Sequence, residues 1–304
     1  MNGRRLFAGP ARRAAIAPFL WMLLFFLLPF GFVLKISLSH TVIAQPPYLP
    51  VFDVTQGVAA IKAALAALSL ENFRLLISDD LYIVSYLRSV VVALVSTAIL
   101  IAIGYPIAYG MSRLPARWQP IAMMLVIVPF WTSFLIRIYA WINILQHDGL
   151  LNKVLLALHV VSAPVVWLST DTAMYLGIVY SYLPFMILPL YATLAKMDSS
   201  LLEAAADLGS SRLKAFWLVT FPLSLPGIAA GALLCFIPIV GEFVIPDLLA
   251  GSDSPMIGQT LWLEFFTNRD WPVASAIASV LLVLLVAPLL VYDRLQRRQL
   301  EARR

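Results

Sequence analysis

Two ionisable residues stand inside long apolar stretches: Arg137 in PFWTSFLIRIYAW (129–141) and Glu242 in GEFVIPDLLAG (241–251). A charge at membrane depth is costly, so it marks either an ion pair or a path for a charged solute. Aromatic residues accompany them along the chain: Trp131, Tyr139 and Trp141, then Tyr180 and Tyr182, then Trp262, with Asp247 and Glu264 nearby. Carboxylates together with aromatic faces suit the charged groups of a passing cation. Ring quadrupoles attract such groups without fixing them as metal ligands would. Trp and Tyr also gather at membrane interfaces for reasons unrelated to any solute. Glu242 therefore has two readings. It pairs with Arg137 and ties two spans together, or it offers a carboxylate to a passing cation.

Catalysis has no candidate centre. A Walker A loop needs Gly immediately before its Lys, and the five lysines here follow Leu34, Ile61, Asn152, Ala195 and Leu213. None of the three histidines precedes Glu, so no HExxH zinc motif exists, and no G-x-S-x-G is present. The lone cysteine, Cys235, excludes an internal disulfide and a Cys-based metal site.

The elements that must position these residues are set by composition. Of 304 residues, 62% are hydrophobic and 12% charged, with mean hydropathy +0.90. A soluble domain carries roughly twice that charge, so a soluble enzyme and a disordered chain are both excluded. A helix needs about 20 apolar residues to cross a bilayer. Six stretches reach that scale, at about 16–36, 87–110, 120–144, 172–195, 223–246 and 272–292. The proline-rich stretch with Pro46, Pro47 and Pro50 cannot be a helix. The 154–170 stretch, with Pro164 near its middle, reads as a surface or re-entrant helix. The first apolar run is too long for a signal-peptide core and reads as a retained anchor.

Charge placement orients the spans. With six crossings and both termini on one side, that side collects 14 basic and five acidic residues, a net of +9. The remaining seven basic and 11 acidic residues carry −4. Lys and Arg accumulate in cytoplasmic loops, so both termini are expected in the cytoplasm. The overall +5 thus reflects membrane topology and not a nucleic-acid surface. On the outer side, a helix-like stretch at 56–70 is expected in the long first loop. Counted inward from 121 and 226 at 1.5 Å per residue, Arg137 and Glu242 both lie about 24 Å deep. Equal depth is what makes their pairing plausible.

Between Lys196 and Pro226 the chain reads KMDSSLLEAAADLGSSRLKAFWLVTFPLSLP. Ser200 and Glu203 have capping-box spacing. Ala204, Ala205 and Ala206 favour helix without bulk, and Gly209 suits a left-handed stop. A short helix with a flat alanine face follows, and then a second helix from about Ser211 that Pro222 ends. Glu203-Ala204-Ala205, Gly209 and Pro222 together resemble the EAA motif of ATP-binding-cassette importer permeases. Val219 and Phe221 replace the usual Ile and Leu. The segments 129–141, 241–251 and NRDWPVASA (268–276) are similar to those of polyamine importer permeases, the putrescine type foremost.

That resemblance implies an all-α membrane protein of the type I importer permease fold, with 198–222 as the coupling loop. Glu203, Ala204, Ala205, Asp207 and Gly209 would form the helix that docks into the ATPase. The implied partners are a second homologous permease in a heterodimer, two ATPase subunits, an extracytoplasmic polyamine-binding protein and the lipid bilayer. No cofactor is expected on this chain, since ATP and Mg²⁺ would be used by the ATPase. The expected solute is putrescine or spermidine. A self-contained secondary transporter for a cationic amine is the alternative, and it calls for coupling carboxylates or broken helices near mid-membrane.

Overall fold

The computed structural model describes residues 10–51, 62–63, 65–251 and 255–302. Residues 56–61 and 64 of the 56–70 stretch, and Arg4, Arg5, Arg303 and Arg304 of the basic tails, lie outside them. Among the described residues, five helices are long and apolar enough to cross a bilayer: Ile16–Ser37, Asp80–Ser112, Asp171–Leu194, Arg212–Val240 and Trp271–Leu290. The pair Gln119–Trp131 and Phe134–Ala157, bent by 89°, makes a sixth if it is one broken span. The chain divides into two units, Met1–Ile83 with Leu261–Leu284, and Val84–Thr260 with Leu285–Arg304.

In the first unit, helices α1 (Pro10–Met22) and α2 (Leu28–Ser37) are joined through a π turn at Leu23–Leu27. Pro29 follows that turn without ending the helix. The wider turn relieves the clash between the proline ring and the carbonyl four residues earlier. Beyond Ser37 the prolines exclude helix, and β1 (His40–Thr41) pairs antiparallel with β2 (Tyr48–Leu49). Helix α3 (Glu71–Ser78) is tied to the end of α2 by Asn72, whose Nδ2 donates to the carbonyls of Ser37 and Ser39, both at 2.8 Å.

The chain continues through α4 (Asp80–Ser112), α5 (Gln119–Ile127), α6 (Phe134–Leu145), α7 (Leu150–Ala157) and α8 (Asp171–Leu194). After these come α9 (Ser200–Asp207), α10 (Arg212–Ala215), α11 (Phe221–Val240), α12 (Val244–Leu249), α13 (Ile257–Trp262) and α14 (Trp271–Ala302). The core of the second unit is α8 against α11. They approach closely because Gly227 and Gly231, one turn apart, face α8. A Cβ on Gly231 would sit 2.8 Å from Met186 Sδ and 3.2 Å from the Met186 carbonyl, and one on Gly227 would sit 2.8 Å from Thr193 Cβ. Small residues at this spacing let helix backbones pack without a hydrophobic drive from water. Tyr105 on α4 joins the same core through its hydroxyl, 3.0 Å from Ser224 Oγ.

Two local expectations fail for identifiable reasons. The stretch 120–144 is not a straight helix. Pro129 lies in a 3₁₀ turn at Val128–Trp131, and Thr132 and Ser133 are extended, with ψ of 153° and 137°. Pro222 does not end the helix that starts after Ser211. A π turn at Phe216–Thr220 precedes it, as one precedes Pro29, and the span runs on as Arg212–Val240.

Candidate functional site

Glu242 follows the end of α11, in the turn that leads into α12, and is buried. Its Oε2 accepts from the Tyr182 hydroxyl at 2.6 Å. Its Oε1 accepts from the backbone N–H of Val244 at 3.0 Å and of Ile245 at 3.4 Å. The side chain therefore caps the first turn of α12, where free amides and the helix dipole favour a carboxylate. Cys235 Sγ, one element earlier, lies 3.6 Å from the Tyr182 carbonyl and fixes α11 against α8 at the same level. Gly258 permits α13 to close over this turn. A Cβ there would meet the Gly241 carbonyl at 2.5 Å and the Glu242 carbonyl at 2.7 Å.

The expected pairing of Arg137 with Glu242 is not formed. Among the described residues Arg137 has no ion-pair partner, and its Nε and Nη1 are buried without a hydrogen-bond acceptor. Its guanidinium lies over the rings of Phe130, at 4.2 Å, and Phe134, at 5.8 Å. The physical reason is the break in the span. Counting a uniform rise to Arg137 assumes a straight helix, and the chain turns by 89° before reaching it. The arginine instead belongs to an aromatic cluster in which Phe130 stacks on Tyr180 at 6.3 Å and Trp141 meets Tyr180 edge-on at 5.5 Å.

The other pathway candidates are dispersed. Trp131 is 75% exposed, and Tyr139 and Asp247 are exposed as well. In the first unit Trp262 lies against Phe266, with ring centroids 4.0 Å apart. Glu264 is buried there and accepts from the Tyr82 hydroxyl at 3.0 Å and from Asn268 Nδ2 at 2.9 Å. Tyr182, Tyr82 and Asn268 as carboxylate partners escaped the sequence reasoning. A buried carboxylate requires donors, but nothing in linear spacing says which ones. Asn152 also escaped it. Its amide makes four hydrogen bonds, with His147, Val165 (twice) and Trp167, and so organises the loop between α7 and α8.

The loop between α8 and α11 folds differently in one detail from its capping-box expectation. Helix α9 starts at Ser200, and Ser200 N–H is received by Asp198 Oδ1 at 2.9 Å, so that Ser200 and Glu203 do not cap each other. That bond holds the Asp198 carboxyl below its ordinary value. Gly209 ends α9 with φ +77°. Its N–H goes to the Ala206 carbonyl and that of Ser210 to Ala205, the paired bonds of a Schellman stop. Ser211 then caps α10 through Lys214 N–H at 3.3 Å. Glu203, Ala204 and Asp207 are exposed, Ala205 is partly so, and Leu208 is 87% exposed. Helix α9 is thus held by its own caps and presents small and acidic side chains on its exposed face.

Several packed apolar spans, with a buried carboxylate turn and an exposed capped helix, make this an α-helical membrane protein. The chain belongs to the family of binding-protein-dependent transport system inner membrane components, which matches residues 81–300. It is 41% identical over 229 residues to the spermidine/putrescine transport system permease protein PotB of Escherichia coli K12, covering 75% of this chain and 83% of that one. To the PotB protein of Haemophilus influenzae it is 40% identical over 227 residues, covering 75% and 79%. Among solved structures, a bacterial alginate ABC transporter in complex with alginate pentasaccharide-bound periplasmic protein matches with TM-score 0.72 at 14% identity, over 95% of this chain and 94% of that one. The MetNI methionine ABC transporter in an inward-facing conformation matches with TM-score 0.54 at 17% identity, over 72% and 95%. At these identities the structures speak for the fold alone. The protein is thus a multi-pass inner-membrane permease of an ABC importer, a non-catalytic transport subunit.

Proposed function

We propose that this chain is one permease subunit of an ATP-driven polyamine importer and that α9 is its coupling helix. The observation that carries the coupling role is the exposed face of α9, held at both ends by its own caps and left open among the described residues. The polyamine assignment draws on the identity to the PotB proteins and on the 129–141, 241–251 and 268–276 segments. Both termini lie in the cytoplasm, on the side that collects the +9 charge. A second, homologous permease completes the path as a heterodimer. Two ATPase subunits, using ATP and Mg²⁺, bind below, one of them against 203–209. An extracytoplasmic binding protein delivers the polyamine to the acidic outer face.

Glu242 has a defined place in this scheme. Its two oxygens take three donors from its own chain, and a carboxylate has about four lone-pair sites. A passing ammonium would add to a carboxylate already oriented by Tyr182 and α12. A secondary transporter would call for coupling carboxylates or broken helices near mid-membrane, and it is the identity to the PotB permeases that favours the ATP-driven reading over it.

The test is reconstitution. The chain is inserted into liposomes with its neighbouring gene products, and uptake of labelled putrescine and spermidine is measured with ATP, with a non-hydrolysable analogue, and under an ion gradient alone. ATP-dependent uptake is expected. Uptake by this chain alone under an ion gradient would overturn the assignment.

A further inference from the structure

Behind α9 lies a cleft of about 430 Å³, walled by Leu202 and Ala206 of α9, by Phe216 and by the neighbouring end of α4. Arg113 and Arg212 stand at its edge. Neither has a carboxylate within ion-pair distance among the described residues. Arg113 lies over the Tyr109 ring at 5.1 Å, which orients its guanidinium plane. Glu203 and Asp207 are exposed on α9 and do not line the cleft.

Thr220 also lines the cleft and is 1% exposed, yet its hydroxyl has no hydrogen-bond partner among the described residues. A threonine in a helix ordinarily bonds back to the carbonyl one turn earlier. A buried hydroxyl left unsatisfied is expensive, so this one calls for an acceptor from outside the chain. Two guanidiniums with an idle hydroxyl make a receptor for a phosphate ester. The position of the cleft selects the ester. It lies where the span Asp80–Ser112 ends and the span Arg212–Val240 begins, at the boundary between bilayer and water. Leu213, Trp217 and Leu218, on the same turns as the lining residues Arg212 and Phe216, are 70%, 56% and 63% exposed and would offer apolar surface to acyl chains. Basic pockets between helices on the cytoplasmic side are suited to anionic lipid head groups.

We propose that this cleft binds the head group of an anionic phospholipid of the phosphatidylglycerol class and that the bound lipid braces α9 against the spans. The binding part stands on the cleft alone, and the bracing part rests on α9 being the coupling helix. Lipid would then set how firmly motion of the ATPase is passed to the path.

Binding is tested first, on the purified full chain in detergent, by native mass spectrometry with dioleoylphosphatidylglycerol and dioleoylphosphatidylcholine, each with and without excess inorganic phosphate. Selective retention of phosphatidylglycerol is expected. Retention should fall about 10- to 30-fold in the double variant Arg113→Gln with Arg212→Gln, and about threefold in Thr220→Val, which keeps the shape of the side chain. The pair Arg113→Lys with Arg212→Lys should retain more lipid than the glutamine pair and shows that charge is being read. Equal retention of both lipids, or wild-type retention in Thr220→Val and in the glutamine pair, overturns the lipid site. Bound inorganic phosphate without retained lipid overturns the lipid as the source. Bracing is tested on the full importer in nanodiscs of rising phosphatidylglycerol content, as uptake per ATP hydrolysed. The ratio should rise with content in the wild type and stay flat in Thr220→Val. A ratio independent of lipid, with selective binding intact, overturns the brace. Absence of any ATP-driven uptake at every composition counts instead against the coupling role.

Discussion

Glu242 and Glu203 carry the same side chain into opposite surroundings within one unit of the molecule. Glu242 is buried, and its oxygens are taken by the Tyr182 hydroxyl and two amides of α12. Glu203 is exposed on α9, whose ends are held by Asp198 and by the Gly209 stop and not by the glutamate. The first carboxylate is part of the fold before it can be part of a path. The second stands on the surface, in the first turn of its helix, and contributes little to the packing. Burial and hydrogen bonding therefore separate a carboxylate that holds the fold together from one on its surface more sharply than residue type does.

The largest effect is expected from removing the buried carboxylate. Glu242→Ala leaves the Tyr182 hydroxyl and two amides without acceptors, and unsatisfied buried groups cost about 1–3 kcal/mol each. A loss of about 3 kcal/mol or more is expected in thermal unfolding of the detergent-purified chain. Glu242→Gln keeps the shape and a carbonyl acceptor, and should lose about 1 kcal/mol. If the alanine variant melted with the wild type, Glu242 would not be holding the fold together. If the glutamine variant folded but lost putrescine uptake, a role in the path would gain support over a purely structural one.

The same contrast marks what could be read from residues alone. The apolar stretches were legible because a bilayer demands length and hydropathy, and neither depends on tertiary contacts. The Gly209 stop was legible because a left-handed turn favours glycine whatever surrounds it. The surroundings of Arg137 are not legible in this way, because equal depth holds only along a straight helix, and Pro129 with the extended Thr132 and Ser133 breaks it. Pro222 was misjudged because the π turn before it is a property of the assembled helix and leaves no simple residue signature. Glu242 was visible as a buried charge, but its donors Tyr182, Val244 and Ile245 become neighbours only when α8, α11 and α12 fold together.

On the exposed side, backbone geometry should matter before side-chain contacts do. Gly209→Ala places a Cβ at φ +77° with open space around it. The expected cost is about 1 kcal/mol, from the left-handed conformation alone. Glu203→Ala should change stability by less than about 0.5 kcal/mol and yet lower ATP-driven uptake about tenfold, the loss typical of one good interface contact. Unfolding and uptake measured on the same preparations separate the two effects. A Glu203→Ala variant with normal uptake would erase the functional half of the contrast with Glu242.

The smallest effect is a pH dependence at the start of α9. The Asp198 carboxyl lies below its ordinary value of 3.8, first because it accepts the Ser200 backbone N–H and then because of a bond with the Ser200 side chain. A depressed carboxylate contributes stability that is fully present above the unfolded value and is lost as pH falls through the folded one. The first turn of α9 should therefore hold from neutral pH down to about 4 and loosen only below it. A nitroxide attached through Leu208→Cys reports this directly, because Leu208 is 87% exposed while Cys235, the one native thiol, is buried. Its mobility should rise on acidification below the ordinary carboxylate range in the otherwise native chain. With Asp198→Ala added, mobility should already be higher at neutral pH and change less on acidification. A probe whose acid response was the same with and without Asp198 would mean that the helix start is held by contacts other than this cap, and α9 would then resemble the Glu242 turn more than its exposure implies.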